Sequence, residues 1–218
     1  MSDDRRHSKA EDVELIRDPL QKAEREAENG IRQFNAALAI IGDYITPPHT
    51  PFRLTQALIL GLHKKALEGI HLLAGTYRNS AVEIGQSNHR PPEHIEVPDL
   101  MADLCSYVNE HWDDRSAAHL AAYLLWRINW IHPFADGNGR TARVVSYLVL
   151  SVKLKAILPG SPTIPDLIAA DKRPYYLELE KADASWKNGS LALASMENMM
   201  EDLLARQLLS AVKSAGHQ

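Results

Sequence analysis

One short stretch of this chain, residues 132–143, holds the side chains best suited to chemistry; its sequence is HPFADGNGRTAR. His132 can accept a proton from an attacking hydroxyl group, and Asp136 can hold Mg²⁺ together with phosphate oxygens and water. Arg140 and Arg143 follow three residues apart, which places both on one side of a helix. Two cations at the start of a helix are unfavourable unless an anion compensates them. The stretch therefore predicts a polyphosphate-binding site.

The turn Gly137-Asn138-Gly139 lies between these groups, and a helix is expected to begin within it. Glycines permit a tight turn and let the backbone approach a ligand closely. A helix N-terminus presents unpaired N–H groups and a partial positive charge, which together bind phosphate. The chain contains no GxxxxGK[ST] sequence, so a P-loop is excluded. Each of these features has an ordinary structural explanation alone, but here they share one helix entrance.

The elements that must position this stretch are predicted to be helices. An apolar helical pattern over 116–130 leads into the stretch and ends before Pro133, which cannot continue a helix. A second helix starts within the glycine turn and extends through residue 149. The same periodicity predicts the remaining helices, at 13–28, 31–44, 54–74, 97–111, 164–184 with an interruption at Pro174, and 191–214.

One short segment departs from the helical period. Residues 76–84 are rich in β-branched and aromatic side chains, which favour a strand. Residues 85–88 have turn chemistry, and 89–92 end in two prolines that restrict this arm to a sheet edge or a loop. The sequence therefore predicts an all-α fold with one small β-hairpin.

Length and composition limit the possible classes of protein. The 218 residues suit one domain with an appendage, and the proline-rich linker at 46–51 divides an N-terminal helical segment, 1–48, from the main body, 49–218. A net charge of -4 gives no electrostatic case for nucleic acid, and no apolar run reaches the roughly 18–20 residues of a membrane span. A single cysteine, Cys105, and the absence of a signal peptide predict a cytoplasmic protein.

The stretch 132–143 resembles the Fic-domain motif HxFx(D/E)GNGRxxR and matches it at every specified position. The resemblance implies a Fic-type helical domain that moves AMP from ATP to a Ser, Thr or Tyr hydroxyl of a target protein. In that scheme His132 deprotonates the hydroxyl, and Asp136 coordinates Mg²⁺ on the diphosphate. The residues then expected to bind the nucleotide are Gly137, Asn138 and Gly139 through their amides, Asn138 also through its side chain at the α-phosphate, Arg140 at the outer phosphates and Arg143 at the γ-phosphate.

The resemblance also assigns roles outside the motif. Val82, Glu83 and Ile84 lie in a segment that looks like the family's flap, which docks targets by strand addition. Tyr175 and Tyr176 lie on a segment that resembles the helix following the core, and they are expected to line the adenine pocket.

Autoinhibition is a further expectation from the family. Many Fic proteins carry an inhibitory helix with the pattern [S/T]xxxE[G/N], whose glutamate pairs with the second motif arginine. Glu28-Asn29 matches the end of this pattern, although Glu24 stands where Ser or Thr is expected. The resemblance suggests that Glu28 pairs with Arg143 and blocks the productive γ-phosphate pose. The ordinary alternative is a charged, solvated helix followed by a glycine stop.

Other functions stay open at this point. A Fic-like protein can remove AMP or transfer another phosphate-containing group, although intact Gly139 argues against the kinase-like variant. A non-catalytic nucleotide-binding regulator is the alternative outside enzymes. The expected partners are ATP and an unidentified target protein, without nucleic acid or membrane, and the apolar helices would support a homodimer.

Overall fold

The computed structural model describes residues 8–9, 14–47, 51–85 and 87–216, so part of the expected linker, 48–50, lies outside the described residues. Within these ranges the chain forms eight α-helices, which confirms the all-α class, and no helix there is long and apolar enough to cross a membrane. The helices are α1 Pro19–Ile45, α2 Gln56–Leu67, α3 Val97–Glu110, α4 Ala117–Ile131, α5 Asn138–Lys153, α6 Ile164–Ala170, α7 Arg173–Lys187 and α8 Ala194–Ala215.

Helices α4 and α5 form the centre of the molecule and pack against each other. Both bury most of their length, and Leu124, Ile128, Val145 and Leu148 are fully buried between the surrounding helices. Burying each such aliphatic side chain contributes roughly 1.5–3 kcal/mol. The two helices that flank the stretch 132–143 are therefore held by the core, which gives the loop between them rigid ends.

Helix α1 runs without a break through the position where the sequence predicted an interruption. The side chain of Asn29 is buried and donates to the carbonyl oxygens of Ala66 (3.3 Å) and Glu68 (2.9 Å), and Gln33 donates to Leu62 O (3.2 Å). A glycine inside a helix, here Gly30, costs about 1 kcal/mol relative to alanine. The expected stop was wrong because this packing on α2 outweighs that cost.

Helix α2 ends at Leu67, earlier than the predicted 74. Gly69 and Gly75 adopt φ of 74° and 81°, and the chain between them forms turns rather than helix. This left-handed backbone suits glycine, which has no Cβ to clash. The turns bring residue 75 back alongside α2, where the Gly75 N–H donates to Nδ1 of His63.

The strand at Glu83–Ile84 pairs with a different segment from the one that the sequence predicted. Strand β1, Ser8–Lys9, pairs antiparallel with β2, Glu83–Ile84, in the register Ser8↔Ile84 and Lys9↔Glu83. The expected return arm, 89–92, forms no strand, because its two prolines have no N–H to donate. A second contact of the N-terminal segment joins Leu15 N to Ile70 O at 2.8 Å.

Candidate active site

The chain reverses at His132, which caps the C-terminus of α4 with φ 51° and ψ 58°. This left-handed conformation is uncommon for a residue other than glycine. Nδ1 of His132 donates to Asn129 O at 3.3 Å, which leaves the lone pair on Nε2. The side chain is only 6% exposed, and burial is the main cause that lowers the pKa of His132 to about 3. The imidazole is therefore neutral near pH 7, as a general base must be.

Asn138 closes the loop that follows. Its Oδ1 accepts from the backbone N–H of Phe134 (2.9 Å), and its Nδ2 donates to Phe134 O (2.7 Å). Both polar atoms of the side chain are thus used inside the loop, whereas the resemblance placed them at the α-phosphate. The backbone N–H of Asn138 still lies in the first turn of α5, where helix geometry leaves N–H groups for an anion.

Asp136 and Arg140 form an ion pair at the entrance to α5. Oδ2 of Asp136 accepts from Nη2 of Arg140 at 3.1 Å, and Oδ1 accepts from the Gly137 N–H at 2.6 Å. Burial raises the pKa of the Asp136 carboxyl, but the Arg140 charge and the Gly137 amide more than offset this, so its pKa lies below the ordinary value. Arg140 also pairs with Glu26 on α1, with Nη1 and Oε1 3.4 Å apart. Asp136 is therefore an ionised carboxylate beside the helix N-terminus.

His63 on α2 supports the loop from the opposite side, a role that the sequence did not reveal because a lone histidine in a helix has no distinguishing pattern. Its ring stacks on Phe134 with the ring centroids 3.7 Å apart and the planes 6° from parallel. Nδ1 accepts from the Gly75 N–H, and Nε2 donates to Asp136 O, both at 3.0 Å. Burial is the main cause that lowers the pKa of His63 to about 4. The ring is thus neutral and fixed at both nitrogens.

A cavity of about 1050 Å³ opens above the loop. Tyr175 and Tyr176 both line it; Tyr175 is buried, and its hydroxyl accepts from Asn129 Nδ2 at 2.7 Å, while Tyr176 is partly exposed. Burial is the main cause that lowers the pKa of Arg143, and the nearby tyrosines oppose this shift. The sequence-predicted residues that the structure brings together around the cavity are Ile84, His132, Asp136, Gly137, Asn138, Gly139, Arg140, Arg143, Tyr175 and Tyr176.

Glu28 is not among the residues around the cavity. Its side chain is 59% exposed and pairs with Arg25 on the same helix, at 3.4 Å. Glu26 lines the cavity instead, on the side of α1 that it shares with the buried Asn29. The structure therefore pairs a glutamate of α1 with the first motif arginine, Arg140, and not Glu28 with Arg143.

The flap residues differ in their surroundings. Val82 is buried, Glu83 is exposed, and Ile84 is partly buried at the cavity wall. One edge of the β2 strand is paired with β1 of the same chain. Besides Glu26, six charged or titratable residues also line the cavity although the sequence gave no motif for them: Glu14, Lys22, His71, His89, Lys172 and Asp183.

Comparison with known proteins shows the family to which the chain is similar. The model of the Fic/DOC family matches residues 53–150. A Fido domain-containing protein of Dictyostelium discoideum is 34% identical over 125 residues, which cover 56% of this chain and 81% of that protein. The protein adenylyltransferase Fic of Drosophila persimilis is 34% identical over 94 residues, which cover 42% of this chain and 18% of that protein. A probable protein adenylyltransferase of Aquifex aeolicus is 31% identical over 98 residues, 44% of this chain and 30% of that protein. The chain thus spans less than a third of either adenylyltransferase.

Solved structures show the same fold. A Fic family protein from Desulfovibrio desulfuricans superimposes with a TM-score of 0.65 at 22% identity, over 93% of this chain and 56% of the other. A Fic domain containing signaling protein from Bacteroides thetaiotaomicron gives a TM-score of 0.66 at 23% identity, over 87% of this chain and 73% of the other. At these identities the similarity concerns the arrangement of the helices.

Proposed function

Because this chain belongs to the Fic/DOC family, we propose that it is a protein adenylyltransferase, which moves AMP from ATP to a hydroxyl side chain of a target protein. One observation carries the proposal: a neutral, buried imidazole and the N-terminus of α5 face the same cavity. Asp136, Arg140 and Arg143 lie around that helix N-terminus. The cavity has room for a nucleotide and for part of a target segment.

The proposed reaction is a single displacement at the α-phosphorus. Nε2 of His132 takes the proton of the target hydroxyl, whose oxygen forms a bond to the α-phosphorus. The bond from that phosphorus to the bridging oxygen breaks, and pyrophosphate leaves. The amides at the start of α5 and the guanidinium groups of Arg140 and Arg143 bind the phosphates. Such a transfer depends chiefly on positioning and on charge neutralisation.

The residues fit Mg²⁺ as part of a metal–nucleotide complex. Within the described ranges no group of three or more His, Cys, Asp or Glu side chains could hold a metal ion by itself. Asp136 is one ionised carboxylate at the phosphate end of the cavity, and Mg²⁺ is commonly held by one or two carboxylates with phosphate oxygens and water. Asp136 would hold the ion, which when bound neutralises charge on the diphosphate.

We propose that the flap, Val82 to Ile84, docks the target by strand addition. An extended target segment would form backbone hydrogen bonds with β2 and lie next to the cavity wall at Ile84. Strand β1 occupies one edge of β2, so a target that pairs with that edge must displace Ser8–Lys9. The adenine is proposed to bind near Tyr176, whose ring is the more exposed of the tyrosine pair. A homodimer remains a prediction.

The first test is transfer of label from ATP labelled at the α-phosphate, in the presence of Mg²⁺, to the protein itself and to added proteins. We expect transfer by the wild type and its loss in His132→Ala, with nucleotide binding retained because the base does not hold the phosphates. His111→Ala is the matched control, because His111 lies at the end of α3, pairs with Asp114 and does not line the cavity.

Other outcomes separate the alternative functions. Nucleotide binding without transfer to any protein would indicate a regulator. Release of AMP from an adenylylated protein would indicate the reverse activity in the same cavity. Transfer that persists in His132→Ala would remove the proposed base.

A further inference from the structure

Arg78 is a buried cation at the junction between the flap segment and the catalytic loop. The residue is only 3% exposed. Its Nε donates to His132 O at 2.8 Å, its Nη1 donates to Ser80 O at 3.0 Å, and its Nη2 donates to Pro92 O. Its backbone N–H donates to Pro133 O at 2.9 Å. One residue therefore joins the catalytic loop to Ser80 and Pro92, which lie on either side of the flap, Val82 to Ile84; residues 79–92 are called the flap segment.

The chemistry of this position favours arginine over other side chains. Burying a charge is costly unless hydrogen bonds satisfy it, and the guanidinium of Arg78 donates to three carbonyl oxygens. Burial is the main cause that lowers the pKa of Arg78, and Glu93 opposes the shift. The planar guanidinium presents donors in a fixed fork that reaches three carbonyls in different directions. A lysine ammonium can replace the charge but not this geometry.

The Nε of Arg78 binds the carbonyl of His132, the residue with the left-handed backbone. His132 follows the last turn of α4, where helix geometry leaves carbonyl groups without intrahelical partners. The bond from Arg78 satisfies the His132 carbonyl and fixes the peptide plane between His132 and Pro133. The φ and ψ of His132 together set the directions of its side chain and its carbonyl, so a bond that holds the carbonyl favours the left-handed backbone that places the imidazole at the cavity.

We propose that Arg78 is a positioning residue for the transfer reaction. It holds the left-handed main chain of His132 so that the imidazole faces the cavity, and it links that conformation to both sides of the flap through Ser80 and Pro92. The inference rests on the proposed function. The consequence is that the element that docks the target and the base that activates its hydroxyl share one side chain, so their separation is fixed.

The charge of Arg78 gives an independent signature of this contact. Burial is the main cause that lowers the pKa of His132, while the charges of Arg78 and His89 lower it further; the Asn129 carbonyl and Asp136 act in the opposite direction. A variant that removes the Arg78 charge should therefore raise the pKa of His132, whereas a purely structural role elsewhere in the flap would leave it unchanged.

The test compares Arg78→Lys and Arg78→Gln with Arg90→Lys and Arg90→Gln. Arg90 is an exposed arginine of the same segment and does not line the cavity, so its variants are matched controls. The measurements are the rate of label transfer, the Kd for a non-hydrolysable ATP analogue, the melting temperature and the pKa of His132 by NMR titration, assigned with His132→Ala.

We expect both Arg78 variants to slow transfer by about 100-fold, because displacement of a catalytic group by about 1 Å has an effect of that size. The Kd should stay within about threefold of wild type, since the phosphate-binding groups are retained. Arg78→Gln should also raise the pKa of His132, and Arg78→Lys should not. The Arg90 variants should match the wild type in every measurement.

Three results would overturn the proposal. The first is transfer by Arg78→Lys at the rate of Arg90→Lys, and the second is a loss of nucleotide affinity equal to the loss of rate. The third is an Arg78→Lys protein that does not fold, which would assign the residue to stability alone. If the wild type transfers no label, the proposed function fails separately, and an unchanged His132 pKa in Arg78→Gln would then decide against Arg78.

Discussion

At the scale of single residues, the side chains in and around the loop have two kinds of role: some hold the shape of the loop, and others line the cavity. Asn138 uses both polar atoms on Phe134, and His63 uses both ring nitrogens on the neighbouring backbone. His132 keeps a neutral ring at the cavity wall, and Arg140 contacts two carboxylates that a polyphosphate would compete with. Asn138 and His63 maintain the geometry of the loop, and His132 and Arg140 are the residues to which the proposed function assigns chemistry.

The two glutamates of α1 should differ in their effect on the nucleotide. Glu26→Gln removes a negative charge next to Arg140, so we expect ATP to bind about two- to fivefold more tightly, as for a partly exposed ion pair. Glu28→Gln changes an exposed side chain that does not line the cavity and should leave the Kd unchanged. Calorimetric titration with a non-hydrolysable analogue measures both.

Glycine variants at the same two positions test the expected autoinhibition by Glu28. If Glu28 pairs with Arg143 during an inhibitory movement of α1, then Glu28→Gly should increase self-labelling and Glu26→Gly should not. The structure favours the opposite result, in which Glu26→Gly increases self-labelling and Glu28→Gly does not, because Glu26 is the residue at the cavity.

At the scale of elements, the N-terminal segment and the flap are in contact through a strand pairing. Strand β1 covers the edge of β2, and the contact from Leu15 to Ile70 holds the same segment at a second place. The cavity is lined by Glu14 and Pro19 from the chain that follows β1, and by Ile84 from β2. If a target docks on the flap as proposed, its access there would depend on a segment far away in the sequence.

Lys9→Pro should weaken the pairing of β1 with β2, because proline removes an N–H and disfavours a strand position. We expect faster hydrogen exchange in peptides that cover Glu83–Ile84, measured by mass spectrometry, and unchanged exchange in α3. Lys9→Ala keeps the backbone N–H and serves as the matched control. Equal exchange in the two variants would show that the pairing does not protect the flap.

At the scale of the whole molecule, α1 and the remaining helices share one core. Ala37 and Ile41 of α1 are fully buried with residues of the main body, and α1 packs on α2 and α5. The boundary at residue 48 stays a prediction, but Glu14 and the first part of α1, from Pro19 to Ala27, belong to the surface that encloses the site. The buried histidines at that site then link the stability of the entire fold to pH.

Burial lowers the pKa of His63 from 6.5 to about 4 and that of His132 to about 3. Between those values and pH 6.5, the unfolded chain binds more protons than the folded chain. The stabilisation is therefore complete above about pH 6.5 and is lost as the pH falls through this window. For His63 we expect a loss of about 3 kcal/mol between pH 7 and pH 4.

Urea unfolding at several pH values measures this loss. His63→Gln should be less stable at pH 7 and should show a flatter pH dependence, because its side chain does not titrate. His111→Gln, which alters a more exposed histidine, is the control for the remaining groups. A His63→Gln slope equal to that of the wild type would contradict the assignment to His63.

The sequence by itself determined the all-α class, the helices on either side of the loop and the family of the loop residues 132–143. These features depend on local information: the helical period of apolar residues, the effect of Pro133 and the glycines, and the fixed spacing of the motif. The structure agrees, since α4 ends at Ile131, α5 begins at Asn138, and the motif residues meet at one cavity.

Only the tertiary structure decided the features that depend on contacts between distant segments. The pairing of β2 with Ser8–Lys9 and the continuity of α1 at Asn29 required partners more than 35 residues away. The choice of Glu26 over Glu28 follows from which side of α1 the core buries. The roles of His63 and Arg78 come from bonds to backbone groups at 136 and 132. Backbone groups are the same at every residue, so a sequence cannot show which side chain will bind them.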